Sequence, residues 1–432
     1  MTRQESWLQN RRFALLLATA ASFLCVAEQP LFANNSCDPR AFGAKGDGVT
    51  NDASALQAAI DACSRQGGVV RLHPGTYVTA PIELQSNVTL ELEKGATLLG
   101  SPNRRDYPPH IEFHLPDLQP LVSATNATNV AIMGEGTIDG NGDSWWQEAR
   151  TIKDHGVLGS GHPRPKLIVF DHCKHVRVEG ITVQNSPMWQ VVPYYSDDVI
   201  IRHVKILAPP HSPNTDAIDP FSSSNVVIDH VFSDVGDDNV AIKSGSINSP
   251  GPDSPSRNIT ITDCTFLHGH GLSVGSELAG GAQNIHAERI HFEGTDNGIR
   301  IKANRDRGND VSHLEFRDIE MKDVKNPLII SEYYPAVMPP DHENAQPVTR
   351  LTPHFHDIVL QNVTATGSGT AAAIVGLPEA PITGVRLENV KISAQKGATI
   401  GFAEVVAEGF DVHAAEGTPI VQLSGAKLVT LK

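Results

Sequence analysis

Asn225–Val235 (NVVIDHVFSDV), Asn258–His268 (NITITDCTFLH) and Asn284–Gly294 (NIHAERIHFEG) follow one plan. A turn-forming residue opens each segment, an alternating β-branched strand follows, and a polar or small residue precedes a second apolar pair. Alternation with period two marks a strand that buries one face. The same plan begins at Asn87 (NVTLELE), Asn129 (NVAIMGEGTIDG), His175 (HVRVEGITVQN), Asp198 (DVIIRHVKIL) and Asp357 (DIVLQNVTATG). From His175 to Asn284 successive segments start 23 to 33 residues apart, a spacing typical of solenoid repeats.

Helical periodicity is nearly absent here, which excludes an α-solenoid, and no leucine ladder is present. A propeller blade would need four antiparallel strands and a longer period. What remains is an all-β, single-domain parallel β-helix with one coil per segment and apolar side chains stacked inside. One helix stands out before the repeats. Asp52 is placed to cap it, and Leu56, Ala59, Ile60 and Cys63 fall at helical spacing before Gly67–Gly68. This Asp52–Arg65 helix is expected to cover the open N-terminal end of the core. Pro335–Pro353 (PAVMPPDHENAQPVTRLTP) reads as an inserted loop, with strand pattern resuming at Phe355.

Arg3, Arg11 and Arg12 precede an apolar run from Phe13 to Val26. That is the pattern of an export signal over residues 1–33, cleaved near Ala27 or Ala33. A signal anchor is the alternative. The expected product, 34–432, is secreted to the extracellular space or periplasm with no membrane attachment. Export permits a disulfide between Cys37 and Cys63, while Cys173 and Cys264 read as buried thiols. No CxxC pair or histidine cluster at metal-ligand spacing is apparent, so neither metal nor cofactor is expected. A formal charge of −15 argues against nucleic acid or an anionic membrane as partner.

Asp216 and Asp238 lie 22 positions apart, close to one coil, with Asp237 on the same turn as Asp238. Stacked rungs about 4.8 Å apart would crowd these carboxylates, and crowding raises at least one pKa. That suits acid/base chemistry, although turn aspartates or a calcium site would share the spacing. His270 follows in GHG (Gly269–Gly271), and Arg300 and Lys302 in RIK. Strand alternation sends both cations to one face and Ile301 to the core. Two cations beside carboxylates, in an acidic chain, fit a sugar carboxylate held by charge-assisted hydrogen bonds.

NTD (Asn214–Asp216), GDD (Gly236–Asp238), GHG and RIK, in this order, resemble the signature motifs of the glycoside hydrolase family 28 polygalacturonases. FGAKGDG from Phe42, GTIDGNG from Gly136, NSPMW from Asn185 and GHGLSVGSE from Gly269 agree. The resemblance implies a right-handed β-helix that hydrolyses pectin or polygalacturonate. It implies Asp237 as general acid, Asp216 and Asp238 as activators of water, and His270 tuning the acid or binding sugar. Asn214 would orient that network, and Arg300, Lys302 and Tyr334 would bind substrate. Rung-spaced carboxyls about 5 Å apart suit retention rather than the inversion that the family implies. Ala217 stands where glycine is usual, and Asn239 where cysteine is common.

Two rival functions share the fold: a calcium-dependent pectate lyase-like eliminase, and a non-catalytic carbohydrate-binding protein. Trp145, Trp146 and Trp189 could stack sugars or be buried, and sequon residues Asn87 and Asn258 read as ladder asparagines. The turn Ser246–Ser256 is expected to overhang the groove and give exo cleavage by a monomer.

Overall fold

The computed structural model describes residues 35–112, 115–154, 163–245, 254–340 and 343–431. Residues 1–33, expected to be an export signal, and most of the turn 246–256, expected to overhang the groove, lie outside the described residues.

The chain winds as a right-handed parallel β-helix whose coils stack in three ladders. The first runs in register from Gly68–Leu72 through Val88–Leu92, Thr128–Gly134, Lys174–Glu179 and Asp197–Arg202 to Ser224–Asp229 and beyond. Its inward column is Val70, Leu90, Ile132, Val178, Ile201, Ile228, Ile261, Ala287, Phe316, Leu360 and Leu387, each fully buried. The second ladder carries Ile138, Val183, Ile206, Ser233, Phe266 and Phe292 in one column. The third passes through Ile168–Asp171, Val191–Tyr194, Val240–Ile242, Leu272–Gly275, Asn297–Lys302 and Asn326–Ser331.

The residue that opens each repeat has a specific backbone task. Asn87, Asn129, His175, Asp198, Asn225, Asn258, Asn284 and Asp357 all have φ between 55° and 63°, the left-handed region that asparagine, aspartate and histidine tolerate best. Their side chains link coil to coil. Nδ2 of Asn258 donates to Oδ1 of Asn225 at 3.0 Å, and Nδ2 of Asn284 to Oδ1 of Asn258 at 3.2 Å. The sequon residues are therefore ladder asparagines.

Helix α1 spans Ala53–Ser64 and buries Leu56, Ala59, Ile60 and Cys63. The Cys37–Cys63 disulfide ties it to the first strand, with Cα atoms 5.9 Å apart. Asp52 departs from expectation. Its side chain makes no cap bond but accepts the amides of Lys45 at 2.7 Å and Gly46 at 2.9 Å, closing the preceding loop. Helix α2, Asp143–Asp154, was not expected. Trp145 and Trp146 sit on it, both buried, and the Trp146 indole donates to the Ser186 carbonyl at 2.9 Å. Cys173 and Cys264 are buried thiols. The strand after the 335–353 insertion starts at His354.

Phe292 is fully buried and meets Phe266 edge-on, with ring centroids 5.3 Å apart. Phe292→Ala should cost about 3–5 kcal/mol through lost burial and a cavity between rungs. Thermal unfolding checks this against Val227→Ala on the exposed face, where a change within about 0.5 kcal/mol is expected.

Candidate active site

The third ladder gathers the charged motifs. Ile218 pairs with Val240 and the Ala217 amide donates to the Asp238 carbonyl at 2.9 Å, so Asp216 and Asp238 occupy adjacent rungs. Ala217 shows no left-handed backbone, so alanine there is unstrained. One rung on, Ser273 pairs with Arg300 and Gly275 with Lys302. Ile301 is fully buried between the two cations, as strand alternation requires. The GHG turn needs its glycines: a Cβ on Gly269 would lie 2.1 Å from the Asp237 carbonyl oxygen. Asn239 fastens the two turns, donating to Ser233 Oγ at 2.6 Å and accepting from the Gly271 amide at 3.0 Å.

Side-chain geometry is close. His270 Nδ1 lies 3.0 Å from Asp237 Oδ1 and 3.9 Å from Asp238 Oδ1. Lys302 Nζ donates to Asp238 Oδ2 at 2.8 Å, and Ser273 Oγ donates to Asp238 Oδ1 at 2.7 Å. Arg300 approaches the same carboxylate at 3.9 Å. The Tyr334 ring lies beside both cations, with centroid distances of 5.6 Å to Arg300 and 5.5 Å to Lys302. Asn214, expected to orient the carboxylate network, bonds a residue outside the four motifs. Its Oδ1 accepts from the buried Arg164 at 2.7 Å, and Arg164 also donates to the carbonyls of Pro187 at 2.8 Å and Pro213 at 2.9 Å.

Four further charged residues complete the site. Arg164 is fully buried beneath the NTD turn. Lys243, nearly buried, lies 3.4 Å from Glu277, 3.7 Å from Asp216 and 3.8 Å from Asp219. Its ammonium also sits 4.8 Å from the Trp189 ring centroid, which gives that tryptophan a place at the site. Both carboxyl oxygens of the fully buried Asp219 lack a hydrogen-bond partner among the described residues.

Burial and neighbours sort these carboxyls into two states. Desolvation pushes Asp216 well above the usual range, helped by the charges of Asp219 and Asp237. Desolvation likewise lifts Asp219 to about 8, against the pull of Lys243. Burial also acts upward on Asp237, but the His270 hydrogen bond and the charges of His270 and Lys302 outweigh it, and the net shift is downward. Asp238 follows suit: burial is outweighed mainly by Lys302. His270 is raised because its bond and charge pairing with Asp237 exceed the desolvation of the imidazolium. In the free site the balance therefore favours the protonated forms of Asp216, Asp219 and His270 and the ionised forms of Asp237 and Asp238. Asp237, expected to act as the acid, leans toward its ionised form in the free site.

Asp237, Asp238 and His270 have donor atoms within 4.8 Å of one another and could hold a metal ion. The Lys302 ammonium already sits on Asp238 and the His270–Asp237 contact already holds a proton, so a cation would have to displace the lysine and that proton. The arrangement offers proton donors, ionised carboxylates and fixed cations in one groove. That equipment suits acid/base cleavage of an anionic sugar chain.

The profile of glycosyl hydrolases family 28 matches residues 80–408. A second, for rhamnogalacturonase A/epimerase, pectate lyase-like proteins, matches residues 39–109. A probable polygalacturonase of Vitis vinifera is 33% identical over 371 residues, 81% of this chain and 73% of that protein. An endo-polygalacturonase of Pectobacterium carotovorum subsp. carotovorum is 30% identical over 79% of this chain and 84% of its own. Among solved structures, a hyperthermoactive exopolygalacturonase from Thermotoga maritima superposes with a TM-score of 0.76 at 28% identity, covering 90% of this chain and 92% of that one.

Asp219 keeps its proton up to about 8 in the folded chain but loses it near 4 when unfolded. Its stabilising contribution is thus complete below about pH 4 and fades as pH rises through about 8. In Asp219→Asn the fall in melting temperature across that window should be shallower than in the parent. An equal or steeper fall would contradict the assignment.

Proposed function

The chain belongs to glycosyl hydrolases family 28, and on that premise we propose that its groove hydrolyses the α-1,4-galacturonosidic bonds of pectin and polygalacturonate. One observation carries the substrate class. Arg300 and Lys302, with the Tyr334 ring against them, stand at Asp238 next to the Asp237–His270 pair, two cations that a neutral sugar would not need. Asp237, the most exposed of the three motif aspartates with 21% of its side chain accessible, protonates the glycosidic oxygen. Asp216 and Asp238 activate water on neighbouring rungs, and the reaction inverts the anomeric centre.

Asp237 must gain a proton for this role, and binding supplies the reason. The charges that hold its pKa down include Lys302 and His270. A galacturonate carboxylate paired with Arg300 and Lys302 cancels part of that positive field. The glycosidic oxygen, accepting a hydrogen bond, also favours the protonated carboxyl. The cluster titrates as a unit, so protons stored on Asp216 and His270 can redistribute toward Asp237 as Asp216 ionises.

The same reading includes exo attack by an exported monomer. Likeness to the Thermotoga maritima exopolygalacturonase supports exo attack, and the arginine-preceded apolar run at the N-terminus supports export. Among the described residues no helix is long and apolar enough to cross a membrane.

Asp237→Asn should lower kcat on polygalacturonate by roughly 10²–10⁴ with folding intact. Reducing ends should appear without new ultraviolet absorbance, and monogalacturonate should dominate early digests. Chelator-sensitive absorbance would establish elimination instead, and an early ladder of oligomers would establish endo attack. The alkaline limb of kcat, which reports the bound enzyme, should lie at higher pH than that of kcat/KM. Coincident limbs would remove the substrate-driven rise in Asp237.

A further inference from the structure

On the outer face of the first ladder, a second cluster of ligating side chains has no part in the groove chemistry. His354 and His356 flank the fully buried Phe355, so both project outward from one strand. Asp310 pairs with His354 across the adjacent coil, and Ser312 pairs with His356. Asp310 Oδ1 lies 2.8 Å from His356 Nε2 and 3.7 Å from His354 Nδ1. The three donor atoms all fall within 4.8 Å of one another.

We propose that Asp310, His354 and His356 bind a divalent transition cation of the zinc class, bridging two coils of the solenoid. Two histidines at i and i+2 of a strand, with a carboxylate from the next strand, converge on one point above the sheet. Zinc bonds of about 2.0–2.1 Å in tetrahedral geometry put ligand atoms roughly 3.4 Å apart. The two separations to Asp310 straddle that value, and the two histidine nitrogens lie within 4.8 Å of each other. Two imidazoles and one carboxylate favour zinc, copper or nickel over calcium or magnesium, which take oxygen ligands.

The surrounding bonds hold the ligands in place. His356 Nδ1 is 2.8 Å from Asp357 Oδ2, the carboxylate–imidazole arrangement that orients metal-bound histidines. The other oxygen of Asp310 accepts from Gln283 Nε2 at 2.7 Å and Ser312 Oγ at 2.9 Å. Both nitrogens of His356 therefore face carboxylates, and a neutral ring, with one N–H, satisfies only one of them. A cation at Nε2 satisfies the other. That cation is either a proton or a metal ion, and the convergence of His354 on the same oxygen favours the metal.

The test is calorimetric titration of zinc chloride into the full-length enzyme, stripped with chelator and held near neutral pH. One binding event should be present in the parent and in His230→Ala, and absent from His354→Ala/His356→Ala. Zinc should raise the melting temperature of the parent and not that of the double variant. If the double variant fails to fold, Asp310→Asn should weaken binding by roughly tenfold or more. Unchanged binding in the variants, or none by the parent up to about 1 mM zinc, would overturn the proposal.

Discussion

In-register stacking of parallel rungs is the constraint on which everything else in this molecule rests. Each coil lies about 4.8 Å above the last, so a side chain's neighbours are set by its column rather than by its sequence surroundings. Inside, the columns are apolar and continuous from Val70 to Leu387. Where a polar group enters, as at Ser233 in the second ladder, a partner is built in; there it is Asn239, which also braces the GDD turn. Packing and chemistry thus share residues. The inward column sets the register, and the register delivers Asp216, Asp238, Ser273 and Lys302 to one another.

The electrostatics follow from that delivery. A chain of net charge −15 concentrates Arg164, Lys243, His270, Arg300 and Lys302 around one groove. Burying charges of both signs is tolerable only because they meet at short distance with hydrogen bonds. The outcome is uneven. Asp237 and Asp238 are held ionised by cations within reach, whereas Asp216 and Asp219 retain protons because burial dominates. The same cations that keep carboxylates ionised are those available to a uronate, so a bound uronate and Asp237 would draw on one field.

Much of this was legible in the sequence. The repeat, its one coil per segment and the grouping of Asp216, Asp237, Asp238, His270, Arg300 and Lys302 follow from period-two alternation and coil-length spacing. Tyr334, which the family resemblance pointed to, stands beside Arg300 and Lys302. Other features were hidden for physical reasons. Arg164 lies in no repeat, and its partner Asn214 is 50 positions away, so no local pattern marks it. Lys243 ends an apolar strand and reads as its solvent cap, although the next rungs enclose it. Helix α2 escaped notice because its apolar side is little more than Trp145, Trp146 and Ala149. Asp237 is held ionised, against its burial, by the 3.0 Å contact with His270 and by the charges of His270 and Lys302, which spacing cannot supply.

The left-handed asparagines, aspartates and histidines at the corners bear on how such a chain can change over generations. A residue added within a strand would turn every inward side chain beyond it outward and uncouple the rungs above from those below. A residue added between strands leaves the columns untouched. The 335–353 segment is such an addition, inserted between Ser331 and His354 while Ser331 and Val375 still pair. Lengthening or trimming corners therefore offers a route to new sugar preferences that leaves the carboxylates where they are. Diversity in this scaffold should collect at its bends, with the ladders inherited almost unaltered.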